Sequence, residues 1–429
     1  MIKQYIQQAL AGLRQQPVIS GVSIAGTALA IFLIMLVVMT EQVRTAPFAP
    51  ESARDRFLHA RYASLANKNW GTGTSNGPMS LQTARRWYAS LPDLETATIY
   101  LSGVVSIPVN LPGQPSVEVD LRETDDRFWH VFDFAFLAGK PYDQATFDAG
   151  VPVAVLTASV ARRLFGTLDC IGQTFLLAHA PYRVCGVVRD VSTLADTSYA
   201  MMWAPFTASK TTSMAWNDNL MGVFSVTLLA KSRADFARIK QDANRRMDEL
   251  NQALEAQGYA YIGRNRPYTQ EEQVVTHGAN NQPNLGAARR RQWVVFLILL
   301  IVPAINLSSI TQSRLRQRVA EIGVRRAFGS TRTELMFQLI GESLVTTLLA
   351  GLAGLLLSVG FAYVAGPLLF AQPFSNVFNP PMVDGAILLH ASTFLWALLF
   401  CFLLNLLSSA LPAWRASRIS IVNALGGKV

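Results

Sequence analysis

The sequence predicts a membrane protein of four transmembrane α-helices with a large α+β domain inserted between helices 1 and 2. Three observations lead there. Of 429 residues, 51% are hydrophobic and 15% charged, too apolar for an ordinary soluble chain and too polar for a wholly intramembrane one. Four runs, 17–40, 292–312, 343–370 and 385–410, contain no Asp, Glu, Lys or Arg, and each is long enough to cross a hydrocarbon core of roughly 30 Å. The polar stretch 41–290 can hold one or two domains of the usual size, roughly 100–200 residues each.

The elements follow in order. Residues 1–16 place Ile2, Tyr5, Ile6, Ala9, Leu10 and Leu13 on one helical face, as in a helix lying in the membrane interface. Span 1, residues 17–40, exceeds the roughly 7–15 residues of a signal-peptide core and is followed by no small-residue cleavage site, so it is expected to be retained. Within 41–290, apolar or alternating runs at 96–108, 115–121, 151–156, 173–178, 182–188 and 220–230 read as strands. Helical faces stand at Leu81, Ala84, Tyr88 and Leu91, and at Phe236, Ile239, Ala243, Met247, Leu250 and Leu254. The second has a start signal in Ser232 with Asp235, where each side chain can satisfy a free backbone N–H. Gly71 to Pro78 and Gly278 to Ala288 read as linkers, and the whole as an α+β domain in two lobes. Span 2 occupies 291–313. A basic helix and turn fill 314–335, the helix running on from span 2 through Arg326 and stopping at Gly329, a residue suited to the left-handed turn after a helix. Thr331 and Glu334 cap span 3, residues 336–370; a short loop, 371–384, leads to span 4 at 385–410 and a tail at 411–429.

Basic residues near the span ends orient the chain. The loop after span 2 carries Arg314, Arg316, Arg318, Arg325, Arg326 and Arg332 against Glu321 and Glu334, whereas the loop after span 3 has no Lys or Arg. The first loop is therefore expected in the cytoplasm and the second outside. Lys3, Arg14, Arg415, Arg418 and Lys428 put both termini in the cytoplasm, and residues 41–290 in the periplasm of an inner-membrane protein. Arg289, Arg290 and Arg291 run against this pattern, although long translocated domains largely escape the charge rule. The net charge of +9 calls for no nucleic-acid partner, because cytoplasmic lipid surfaces attract the basic excess.

Enzyme signatures are weak. Gly73-Thr-Ser75-Asn-Gly77 matches G-x-S-x-G, yet a nucleophile elbow needs a buried strand before it and a helix directly after, and here Asn67-Lys-Asn-Trp precedes and Pro78 follows. His59, His130, His179, His277 and His390 show no metal-ligand spacing, and no catalytic residues or metal site are expected. No G-x-x-x-x-G-K-[ST] occurs, so any ATP that drives this protein is hydrolysed elsewhere. Cys170 and Cys185 fall in the external domain, where an oxidising compartment permits a disulfide but sequence cannot supply the Cα separation it needs. In span 3, Thr346, Ala350, Gly354, Ser358, Ala362 and Gly366 recur every fourth residue, which favours close helix pairing within or between subunits. Intramembrane polar residues are scarce (Asn306, Glu342, His390 and Asn405), which argues against an ion or proton path.

Three regions carry motifs that span most of the chain. The first is Leu10-Ala-Gly-Leu-Arg14 before span 1. The second combines Asp126-Arg-Phe-Trp-His-Val-Phe-Asp-Phe134, Leu137-Ala-Gly-Lys140, Val153-Ala-Val-Leu156, Ala161-Arg-Arg-Leu-Phe-Gly166, Ile171-Gly172 and Tyr182-Arg-Val-Cys-Gly-Val-Val-Arg-Asp190. The third is Asn306 through Glu321-Ile-Gly-Val-Arg-Arg-Ala-Phe-Gly-Ser330 to Glu342, with Leu411-Pro-Ala-Trp-Arg415 and Ala424-Leu425. In this order the three regions resemble the MacB/FtsX family of ABC transporter permeases, with departures at Pro303 and Arg289 to Arg291 at span 2, and at Ile421, Asn423 and Gly426 in the tail. The resemblance implies a dimer, of two copies or of paralogues, above two ATPase subunits that bind ATP and Mg. It implies mechanotransmission: ATPase closure moves the helices and hence the external domains, in export, lipoprotein release or a related envelope task, with a periplasmic adaptor and outer-membrane component as further partners. On that basis Glu321, Ile322, Gly323, Val324, Arg325, Arg326, Ala327, Gly329 and Ser330 are expected to couple to the ATPase, Ile322 and Val324 by apolar contact. Ala350, Gly354, Ser358 and Ala362 are expected in helix packing. The alternative is an FtsX-like anchored sensor that regulates envelope enzymes.

Overall fold

A computed structural model describes residues 17–276, 278–369 and 391–418. The lead-in helix at 1–16, His277, the loop 371–384, His390 and the tail motifs beyond Arg418 lie outside the described residues. Two compact units form. One contains residues 17–43, 287–369 and 391–418; the other contains 44–276 and 278–286.

The first unit is helical: α1 (Pro17–Thr45), α2 (Leu285–Gln317), α3 (Val319–Ala327), α4 (Arg332–Leu369) and α5 (Ala391–Ser417). Four of these, all but α3, are long and apolar enough to cross a membrane. Their packing depends on small residues and a few polar fasteners. A Cβ added to Gly354 of α4 would stand 2.5 Å from the Ala28 carbonyl oxygen and 3.1 Å from Ile31 Cβ of α1, so only a hydrogen lets the two backbones meet. A Cβ on Gly351 would strike Cys401 Sγ of α5. Ala350, Ser358 and Ala362 are buried beside them, so this stripe is occupied by helices of the same chain. Asn405 accepts a 2.7 Å bond from Ser343 and donates to the Ile340 carbonyl, tying α5 to α4. Gln42 donates to Ser392 at 2.9 Å and accepts from Thr393 at 2.6 Å, tying α1 to α5.

The second unit is built on one sheet whose strands, in chain order, are β1 (Phe57–Ala60), β2 (Leu94–Leu101), β3 (Val105–Asn110), β4 (Val117–Thr124), β5 (Phe136–Gly139) and β6 (Val153–Thr157). They continue with β7 (Thr174–Leu177), β8 (Ala180–Val188), β9 (Met202–Pro205), β10 (Phe224–Ala230) and β11 (Tyr268–Thr269). The order is β9-β6-β8-β7-β3-β4-β2-β10-β1-β11, with β5 added beside β8 and β9 also paired to β4. That last pairing, Met202 opposite Leu121 through Pro205 opposite Thr124, closes β4, β3, β7, β8, β6 and β9 into a six-stranded ring. Alternate residues fill the ring: Val119 and Leu121, Ala154 and Leu156, Phe175 and Leu177, Tyr182 and Val184, Met202 and Ala204. The helix Ala158–Phe165 adds Val160, Ala161 and Leu164. Each buried Val, Leu, Phe or Met among them contributes about 1.5–3 kcal/mol, the alanines less.

Outside the ring, β2, β10, β1 and the short β11 form an antiparallel lobe. The helix Phe236–Leu254 and the π-helical turn Ala84–Ala89 cover one face, where Leu58, Ile99, Val226 and Leu228 meet Trp87, Ile239 and Ala243. The predicted start of the long helix is present, with Ser232 and Asp235 forming a reciprocal capping box.

Several expectations change. The run 96–108 is two strands, β2 and β3, turning at Ser102 and Gly103. Residues 71–78, expected as a linker, include the strand Thr74–Gly77 paired with Ala63–Asn67, and Ser75 accepts a bond from Asn217. Cys170 and Cys185 are both free thiols. The reason is a bulge in β8: Val184 pairs with Ala154 and Gly186 with Val155, leaving Cys185 as the extra residue. Cys185 therefore turns to the aromatic cluster outside the ring and donates to the Ala154 carbonyl, while Cys170 is buried in the ring's own core. Burial raises the Cys185 pKa to about 12, so it is a protonated, unreactive thiol.

Candidate functional site

The basic elbow between α2 and α4 brings together the residues singled out above. The helix expected to run unbroken from span 2 breaks at Arg318, whose backbone sits at φ −100° and ψ 10°. The break coincides with a fork in its side chain. Arg318 donates from Nε to Glu321 at 3.0 Å and from a terminal nitrogen to Glu342 at 2.7 Å, so one guanidinium joins α3 to α4 at the very point where α2 ends. Arg325 adds a second cation to Glu321 at 2.6 Å, and Gln338 donates to the other Glu342 oxygen at 3.3 Å. Hydrogen bonding from Arg318, reinforced by the charge of Arg325, holds the Glu321 carboxyl below the usual carboxylate range. Burial works against the Arg318 charge, but its two carboxylate partners keep its pKa above the ordinary value. A lysine could not do this, because a single ammonium lacks the planar fork that addresses two carboxylates at once.

Beneath the fork is a small apolar cluster drawn from α2, α3, α4 and α5: Leu315, Ile322, Leu335 and Ala416, with Leu339 against them. Ile322 faces inward, so the apolar contact expected of it is made with its own chain. Gly323 is buried beside it. The exposed apolar surface is instead Val324 (44%), Phe328 (89%) and Phe337 (62%), with Ala327 between. Phe328 was not among the candidates; its signal was position, a large apolar residue at a helix end with no core left to enter. The turn that follows behaves as expected. Gly329 has φ +98°, Ser330 N–H donates to the Arg325 carbonyl, and Thr331 and Glu334 exchange hydrogen bonds of 2.9 and 3.2 Å that start α4. Arg325 and Arg326 are half-buried.

No group of three or more His, Cys, Asp or Glu side chains placed to hold a metal ion occurs among the described residues. The elbow is a short helix, clipped to α4 through Arg318, that leaves Val324 and Phe328 exposed.

Residues 19–246 match the MacB-like periplasmic core domain, and residues 293–421 match the FtsX-like permease C-terminal domain. The chain belongs to the MacB/FtsX family of ABC transporter permeases. Among its relatives, the pyoverdine export ATP-binding/permease protein PvdT of Pseudomonas fluorescens is 25% identical over 70% of this permease and 42% of the relative. The macrolide export ATP-binding/permease protein MacB of Rhodospirillum rubrum is 28% identical over 72% of this chain and 44% of its own. The uncharacterized ABC transporter permease YknZ of Bacillus subtilis is 21% identical over 73% and 71%. This permease thus spans less than half the length of the two export proteins. With four apolar helices and a periplasmic-type domain, it is an inner-membrane protein.

Proposed function

We propose that this chain is the non-hydrolysing permease subunit of an ABC exporter that works by mechanotransmission. The observation that supports this most directly is the Arg318 fork. A push on α3 passes to α4 through Glu321, Arg318 and Glu342 without first bending a flexible loop. Helix α2 starts where the α+β unit ends, and α1 runs into its first residues, so movement of either helix reaches that unit along the chain itself.

On this reading a separate ATPase subunit binds ATP and Mg and docks on Val324, Ala327, Phe328 and the arginines of the elbow. Two permease copies, or this chain and a paralogue, stand side by side. The elbow and both termini lie in the cytoplasm and the α+β unit in the periplasm, as the basic loop supports. The export relatives support outward handling of a substrate, with a periplasmic adaptor and an outer-membrane component as candidate partners.

The test is recovery of the ATPase subunit with this permease from its native membrane in mild detergent. Phe328→Asp with Val324→Asp should reduce recovery at least fivefold while leaving the membrane level of the permease unchanged. Substitution at Glu321 is less informative, since it also opens the fork. Unchanged recovery with the double variant would remove the elbow as the docking surface, and absence of any ATP-binding chain from the wild-type complex would remove the ABC reading.

A further inference from the structure

The Arg289 to Arg291 run is unexplained by anything above. It stands at the end of α2 remote from the elbow, on the side where short-loop charge statistics disfavour arginine. In an α-helix each residue advances by about 100°, which puts Arg290 and Arg291 on the same half of α2 as Trp293, Val294, Leu297, Ile298, Ile301, Val302 and Ile305. All of those apolar residues are exposed, Trp293 by 59% and Ile305 by 61%. Arg290 and Arg291 are exposed above them. The face therefore reads, along the helix axis, as two guanidinium groups, one tryptophan, then unbroken aliphatic surface. From Arg291 to Arg314 the helix rises roughly 34 Å, close to the thickness of a hydrocarbon core, so both charged ends fall at headgroup level.

We infer that Arg290 and Arg291, with Trp293, form a binding site for the phosphate of an anionic phospholipid whose acyl chains lie along the α2 face. Charge complementarity selects this occupant. The guanidinium fork matches a phosphodiester in two-point contact, the indole is amphipathic and favours the headgroup boundary, and the aliphatic stripe below matches acyl chain rather than water. A neutral zwitterionic lipid offers the same acyl chains but a compensated headgroup, so the arginines would discriminate in favour of net negative charge. Assignment of the site to the outer leaflet rests on the orientation proposed above; the binding itself does not.

Native mass spectrometry of the full-length protein in detergent, titrated with phosphatidylglycerol or phosphatidylcholine, tests the site. The expected result is tighter retention of phosphatidylglycerol, by about fivefold, which falls to the phosphatidylcholine level in Arg290→Gln/Arg291→Gln and is only partly kept in Arg290→Lys/Arg291→Lys, whose ammonium groups keep the charge but lose the two-point contact. Arg162→Gln/Arg163→Gln, exposed on the α+β unit, controls for the loss of two positive charges and should leave this retention in place. Three results overturn the inference: retention unchanged in the Gln pair, displacement of the lipid by millimolar inorganic phosphate, or conversion of a dimer to a monomer by the Gln pair, which would assign the face to a second copy. Labelling of Arg291→Cys in a cysteine-free chain with an impermeant maleimide, from outside spheroplasts, reads the leaflet separately, so failure of the orientation is distinguishable from failure of the site.

Discussion

Arg318 has the most to lose among single residues. Its replacement by Ala leaves Glu342, buried about three turns into α4, without its cation and frees the α3 end of the elbow. The expected cost is about 1–3 kcal/mol of stability, read as a lower unfolding midpoint in detergent, together with loss of ATPase stimulation by the permease. Arg318→Lys should recover part of the stability but little of the stimulation. Equal stimulation by wild type and Arg318→Ala would show that the fork is ornamental. His59 presents the converse case, a titratable group kept neutral. It is buried between Gln270, at 2.7 Å, and Thr227, and burial together with the nearby Arg61 charge lowers its pKa from 6.5 to about 4. Its folded pKa lies below the unfolded one, so the neutral ring stabilises the fold fully above pH 6.5 and that contribution, up to about 3 kcal/mol, fades as pH falls toward 4. Unfolding of the full chain should therefore become easier between pH 6.5 and 5, and His59→Gln should flatten that slope. An identical slope in the variant would assign the sensitivity to other groups.

At the scale of elements, the close approach of α4 to α1 gives opposite forecasts for two glycines in one helix. Gly354→Val forces side-chain atoms into the Ala28 carbonyl and should destabilise the membrane unit by about 1–3 kcal/mol, whereas Gly360 has nothing within 4 Å of an added Cβ and Gly360→Ala should be neutral or slightly stabilising. Thermal unfolding of both variants checks the contrast, and equal midpoints would mean that α1 and α4 are not in contact in the membrane. The stripe that holds Gly354 could be read from sequence, because small residues every fourth position have few other uses in an apolar run. Which partner it faces could not, since that depends on how four helices are arranged. Likewise the basic elbow, its cap at Thr331 and Glu334 and its Gly329 turn were legible as local chemistry. The break at Arg318 was not, because the carboxylate that its side chain meets there, Glu342, lies 24 residues further on. The short strands Phe57–Ala60 and Met202–Pro205 escaped notice for a similar reason: each is buried on both faces and shows no alternation. The Cys185 bulge left no mark at all in the residue pattern.

For the whole molecule, two units with separate cores should unfold separately. A buried pair inside the α+β unit allows one to be disturbed alone. Glu51 receives three bonds at 2.9–3.0 Å from Thr197 and Ser198 and pairs with Arg54 at 2.7 Å, while Arg54 reaches the carbonyls of Ala46 and Leu194. Glu51→Ala leaves a buried guanidinium without its counter-ion, a loss of about 3–5 kcal/mol. Hydrogen exchange of the intact protein should show faster exchange across the ring and its neighbours, with α4 and α5 unchanged; uniform acceleration would mean that the chain unfolds as one body. The ring itself has a further consequence. Six strands that close on one another expose no ladder of unpaired N–H and C=O groups, and the sheet's remaining borders are β5 and the two-residue β11. A protein tethered at a crowded surface meets its own kind constantly and at fixed orientation, the setting in which open sheet borders zip together into aggregates. With so little border on this sheet, neighbouring copies that collide there find few strands to recruit, and the open edges left among the described residues belong to short strands such as Thr74–Gly77 and Tyr259–Tyr261.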